Sequence, residues 1–150
     1  MTDRVSPEVR SRMMASIRGR DTQPELVVRR FLHGLGFRYR LAPRNLPGRP
    51  DVVLPKHQAV VFVHGCFWHG HSGCRFATVP ATRTGFWTNK IAANRIRDGL
   101  REAELRAGGW RVAVVWECAL KSDRDAALQR LATFIRSREE FAEIASQERR

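Results

Sequence analysis

Residues 50–74 read PDVVLPKHQAVVFVHGCFWHGHSGC. DVVL and AVVFV are rich in β-branched residues and are separated by the turn-prone PKHQ, which predicts a β-hairpin. Pairing Leu54 with Ala59 across that turn sets Asp51 opposite Phe62, beside the backbone of Val63. One acidic side chain is thereby brought next to one backbone carbonyl at a strand end. His64, Cys66, His69, His71 and Cys74 follow at once, all titratable or metal-binding types. A hairpin that ends in such a group is a candidate site.

The flanking segments supply helices and one more strand. Ser6-Pro7-Glu8 combines an N-cap, a first-turn proline and an acid matched to the helix dipole, predicting a helix to about Arg18 that carries Met13, Met14 and Ile17. After the break at Gly19-Arg20-Asp21, Thr22-Gln23-Pro24-Glu25 fits a capping box. Val27, Val28, Phe31, Leu32 and Leu35 continue it at helical spacing, with Gly36 as the stop. Phe37 to Leu41 reads as a short strand, and Ala42 to Arg49 as a loop leading to Asp51. Gly65 to Thr84 has no periodicity and is expected to be a long loop, of the kind that is usually functional or tied by metal. A helix is predicted from about Phe86 to Ala107 with Ile96, Leu100 and Ala103 on its core side, ended by Gly108-Gly109. Trp110 to Glu117 is an apolar strand with Cys118 at its end. Asp123 can cap a last helix whose core stripe is Ala127, Leu128, Leu131, Phe134 and Ile135. The charged tail, residues 137–150, is expected to fray.

This order implies an α/β domain with a small mixed β-sheet flanked by helices. The strand at Trp110 arrives by a helical crossover, the connection that allows parallel pairing. With 150 residues and 43% hydrophobic content, the chain suits one domain spanning 1–150. Its 27 basic residues against 15 acidic ones give a net charge of +12, a field that attracts polyanions, above all nucleic acid. No apolar run approaches a membrane span and the N-terminus lacks an apolar signal region, so no membrane partner is expected. Three unevenly spaced cysteines argue against a disulfide framework and for a reducing, cytoplasmic setting.

Each chemical constellation has an ordinary explanation beside the functional one. Cys66, His71, Cys74 and Cys118 could form a closed Cys3His zinc site, with His69 competing with His71 as ligand. The plain alternative, three buried small hydrophobes, fits poorly where two of the cysteines lie in a polar Gly-rich loop. Asp51 with one backbone carbonyl and phosphate oxygens could hold Mg2+, while His64 and His69 activate water or protonate a leaving oxygen. Singly, each of these is more often an ordinary loop residue; together, in so basic a chain, they favour phosphodiester chemistry. Phe67 and Trp68 either pack in the core, the default for adjacent aromatics, or act as wedges between base pairs. Lys90, Asn94 and Asp98 align at i, i+4, i+8. A Lys and an Asn can read base edges, and Asp98 can orient a protonated histidine, although a solvated face is the more common reason for the spacing. Glu25 is explained by the capping box.

The segments MMASIRGRDTQPE, LPGRPDVV, VFVHGCFWHGH, PATRTGFW, NRIRD and GWRVAVVWECAL, in order from Met13 to Leu120, together resemble the very-short-patch-repair (Vsr) DNA mismatch endonucleases. The resemblance implies a fold similar to the PD-(D/E)-x-K restriction nucleases and an enzyme that nicks one strand of duplex DNA 5′ to the mispaired thymine of a T:G mismatch, the product of 5-methylcytosine deamination. It implies that Asp51 and the Val63 carbonyl bind Mg2+ with Glu25 in support. His69 would be the general base, oriented by Asp98, and His64 would assist at the phosphate. Phe67 and Trp68 would intercalate from one groove and Met14 approach from the other, the helix within residues 1–20 contacting DNA. Lys90 and Asn94 would read the wobble pair, and Cys66, His71, Cys74 and Cys118 would hold Zn2+. Partners would be mismatched double-stranded DNA and other repair proteins, with the enzyme a monomer at the nucleoid. A standard PD-(D/E)-x-K site also has an acid and a lysine near Phe62-Val63-His64; both are missing here, as in the Vsr form of the fold. The rival readings are a restriction-type endonuclease that cuts intact duplex, and a catalytically inactive zinc-containing DNA-binding module.

Overall fold

A computed structural model of the chain describes residues 22–146. The expected N-terminal helix, and Met14 with it, lies outside the described residues.

Helix α1 spans Gln23–Gly34, and Thr22 stands at its N-cap without a side-chain cap bond. The capping box is therefore not formed. Glu25 is buried instead and accepts a 2.9 Å hydrogen bond from Arg29 Nη2, one turn along. A buried, charge-assisted bond outweighs a solvent-exposed cap. At the other end Gly36 takes φ 87° and the Phe37 N–H donates to Leu32 O at 3.1 Å, the paired geometry of a left-handed helix stop. With its amide spent there, Phe37 cannot begin a strand. The expected strand over 37–41 shrinks to β1, Arg40–Leu41.

The hairpin has the register read from the sequence. Strand β2 (Val52–Leu54) pairs antiparallel with β3 (Ala59–His64) through Leu54↔Ala59, Val53↔Val60 and Val52↔Val61. Strand β4 (Arg111–Trp116) lies parallel to β3, from Ala59↔Arg111 to His64↔Trp116. The tail departs from expectation: Phe141–Ile144 forms strand β5, parallel to β4, where fraying was expected. Ile144 is buried in the core and Val112 N–H donates to Glu140 O, so two contacts anchor a segment whose charged composition hides it. The sheet order is β1-β2-β3-β4-β5.

Alternation along the strands splits the core in two. Val52, Leu54, Val61, Val63, Ala113 and Val115 face one side, against Val28 and Leu32 of α1 and Leu128, Leu131 and Ile135 of the last helix. Val53, Val60, Phe62, Val112, Val114 and Trp116 face the other, against Leu105, Cys66 and Cys118. Helix α2 runs from Thr84 to Ala107, starting two residues before the expected Phe86. Its face is also rotated from the expected one: Ile96 (67%) and Leu100 (59%) are exposed, as is Ala103, while Trp87, Ile91 and Leu105 are buried. Helix α3 (Glu117–Ser122) follows β4 directly, so Cys118 sits in a first helical turn rather than at a strand end. Helix α4 (Arg124–Arg136) is capped as expected, Asp123 Oδ1 accepting from Ala126 N–H at 3.1 Å, with the expected five-residue stripe buried.

Candidate active site

The register that sets Leu54 against Ala59 brings the Asp51 carboxylate to the end of β3, where Oδ2 accepts the Val63 N–H at 2.6 Å. Burial pushes the Asp51 carboxyl up to about 7, a rise the Val63 hydrogen bond opposes and the nearby Glu25 carboxylate reinforces. Glu25 and its partner Arg29 thus stand in the electrostatic surroundings of Asp51. Sequence reasoning missed Arg29, although its i+4 spacing from Glu25 was the available signal.

Beyond Val63 the strand ends in His64, which is buried. Its ring stacks on that of His69 with centroids 3.8 Å apart and planes within 3°. Burial, then the neighbouring His69 and His71, hold the His64 imidazole well below its usual range, so it stays neutral. His69 Nδ1 lies 2.6 Å from Asp98 Oδ2. His64, His69 and Asp98 each bring one ligand-type atom within 4.8 Å of the others; Asp51 is not in that cluster. The turn at Gly70 makes this approach possible, because at φ 59° a side chain there would run into Ile91 and Arg95 of α2.

The inward stripe of helix α2, buried at Trp87, Ile91 and Leu105, is polar between them. Asn94 Nδ2 donates to Trp68 O at 2.9 Å, and Asp98 holds His69 one turn later. Lys90, on the same helix, is exposed. Phe67 and Trp68 are partly buried and meet edge to face at 5.2 Å. Both lean on Trp87, at 5.5 and 6.0 Å. Sequence reasoning missed Trp87 as well, because apolar periodicity selects the opposite face of its helix.

Cys66, His71, Cys74 and Cys118 converge, their ligand-type atoms all within 4.8 Å of one another. His71 thus groups with the cysteines, and His69 with His64 and Asp98. Cys118 N–H donates to Cys66 Sγ at 3.3 Å, and Ser146 N–H to Cys118 Sγ at 3.4 Å. Burial raises the Cys66 thiol, with Cys118 and Cys74 close by. Backbone donors aimed at sulfur, in a closed set of three sulfurs and one imidazole, suit a tetrahedral thiolate-binding cation such as Zn2+.

The family model for DNA mismatch endonuclease Vsr matches residues 2–75. A type II nicking enzyme, V.XorIIP, from Xanthomonas oryzae pv. oryzae is 53% identical over 135 residues, covering 90% of this chain and 98% of that protein. The chain belongs to the Vsr family. It is thereby a DNA endonuclease. Other Vsr-family relatives agree: DNA mismatch endonuclease Vsr of Escherichia coli strain K12 is 46% identical over 121 residues, covering 81% of this chain and 77% of that one. The type II nicking enzyme V.NmeAIP of Neisseria meningitidis is 48% identical over 122 residues, covering 81% and 86%.

Proposed function

We propose that this endonuclease nicks one strand of duplex DNA 5′ to the mispaired thymine of a T:G mismatch and so starts very short patch repair. The observation that carries the chemistry is the 2.6 Å contact between His69 Nδ1 and Asp98 Oδ2. A carboxylate fixing Nδ1 leaves Nε2 to take the proton of an attacking water, and stabilises the imidazolium that results. Neutral His64, stacked beside it, is suited to hydrogen-bond a phosphate oxygen. As water adds to phosphorus the bridging P–O bond breaks and the leaving oxygen takes up a proton.

Asp51 and the Val63 carbonyl would hold Mg2+, with Glu25 in support. The N–H and C=O of an extended residue leave a strand on the same side, so the bond from Val63 N–H to Asp51 supports a carbonyl directed to the same edge. A buried carboxyl that resists ionising alone is also the kind a cation stabilises. When bound, Mg2+ supplies charge stabilisation to the phosphate under attack. Zn2+ would be held by Cys66, His71, Cys74 and Cys118, tying the site loop to α3. Phe67 and Trp68, backed by Trp87, form a partly exposed aromatic wedge suited to intercalation. Met14 would enter from the other groove. Lys90 is exposed and long enough to reach base edges, and Asn94 keeps its Oδ1 for the same purpose. The mixed sheet with Asp51 at a hairpin end supports a restriction-endonuclease-like ancestry for the fold. Among the described residues no helix is long and apolar enough to cross a membrane. Chromosomal duplex as substrate would set the enzyme at the cytoplasmic nucleoid, acting as a monomer alongside other repair proteins.

The test is to incubate labelled duplexes carrying each mismatch with protein and Mg2+ and to map any nick. A single nick 5′ to thymine in T:G duplex alone is expected, and equal cutting of the matched duplex would show a restriction-type enzyme instead. Asp51→Ala should lose nicking by about a hundredfold or more while keeping DNA affinity. Full-rate nicking by that variant would remove the metal assignment.

A further inference from the structure

The four rings around the end of β4 form a connected assembly whose central member has no role in the chemistry described above. Trp116, the last residue of β4, is almost fully buried and stands opposite His64 in the parallel register. One face of its indole stacks on His71, with centroids 4.0 Å apart and planes within 6°. It meets His64 at 5.1 Å and His69 at 6.4 Å, both nearly perpendicular. Its Nε1–H donates to Glu143 Oε1 at 2.9 Å, across to β5. This indole therefore touches a member of the Cys3His cluster and also both imidazoles of the catalytic pair.

The same residues wall a cavity of about 260 Å3, lined by His64, His69, His71, Asp98, Trp116 and Glu143 among others. A stacked imidazole pair beside a void of that size has room to slide or tilt. Trp116 and the Asp98 bond oppose such movement, and Trp116 can oppose it only if its own ring is fixed. The hydrogen bond to Glu143 fixes the ring edge, and the stack on His71 fixes its plane.

We propose that Trp116, locked by Glu143, is a positioning residue that transmits the order of the Cys66–His71–Cys74–Cys118 cluster to the His64–His69 pair. The inference rests on the assignment of His69 as general base. It also makes the metal cluster part of the catalytic geometry, and gives the C-terminal strand a direct stake in the reaction. Small errors in the placement of a catalytic group cost rate far more than they cost binding.

Glu143→Leu, Glu143→Gln and Trp116→Phe test it in the full-length protein. Glu143→Leu should lower kcat for nicking about tenfold or more, with KM and DNA affinity within about twofold of the parent and bound zinc and melting temperature retained. Trp116→Phe, which keeps a ring but loses the N–H, should lower kcat likewise, with some loss of stability from the smaller ring. Glu143→Gln, whose amide oxygen still accepts from the indole, should restore kcat. The ring C–H NMR signals of His64 and His69 should broaden or shift in Glu143→Leu and return in Glu143→Gln. An unchanged kcat in Glu143→Leu with zinc retained overturns the proposal, as does an equal loss in Glu143→Leu and Glu143→Gln. His69→Ala separates this from the underlying reading. If that variant still nicks at full rate, the general-base assignment itself is wrong; if it is dead while Glu143→Leu is normal, only the relay through Trp116 fails.

Discussion

Asp51 shows how much a single carboxyl can be asked to do. Its position was legible from the sequence, because a two-stranded register is fixed by the apolar runs and the turn between them. Its burial and the proximity of Glu25 were not, since both depend on how α1 packs on the hairpin. With the native carboxyl raised from 3.8 to about 7, the metal-free fold binds more protons than the unfolded chain between those limits. Stability from this group is therefore greatest at low pH and falls as pH rises through that window. Asp51→Asn, which still accepts from Val63 N–H, should be more stable than the parent by about 1–3 kcal/mol at pH 8 in chelator and nearly equal at pH 4. Urea melts at both values measure the difference. Mg2+ affinity of the parent should rise as pH climbs toward about 7, with a proton released on binding, and level off above it. Spacing alone left His69 and His71 competing for the cysteines, and only the resemblance assigned them apart; two residues from each other in an irregular loop, they are separated by the turn at Gly70.

Helix α2 is where element-level reasoning failed instructively. Its length and its stop at Gly108 were readable, but its inward stripe, buried at Trp87, Ile91 and Leu105, carries Asn94 and Asp98 where it faces the site. An apolar-periodicity argument then selects the opposite, solvent-facing stripe. Two substitutions decide between the faces. Leu100→Gln should change stability by no more than about 0.5 kcal/mol, and Leu105→Ala should cost about 2–5 kcal/mol, both read by chemical denaturation. The reverse ranking would mean that Ile96 and Leu100 are covered. Helix α4, by contrast, was fully legible, since it has an acid cap at Asp123 and one apolar face against the sheet. Strand β5 was invisible because four residues among charges carry too little pattern to register.

Over the whole molecule, the Cys3His cluster joins parts of the chain that are distant in sequence. Cys66, His71 and Cys74 come from the loop after β3, while Cys118 comes from α3. Cys118→Ser should lower zinc content and melting temperature together, because structural metal binding is coupled to folding. Full stability with no zinc bound, by elemental analysis and calorimetry, would show the sulfurs to be ordinary core atoms. The net charge of +12 announced a polyanion partner, yet nothing in composition distinguished duplex from single strand. Strand β5 has one more consequence. It covers the outer edge of β4, and Ser146, two residues beyond it, donates to Cys118 Sγ. A protein shortened after Arg136 would thus not lose a loose overhang. It would bare the unpaired amides and carbonyls along one edge of a very apolar strand, an invitation to intermolecular pairing and to insoluble expression.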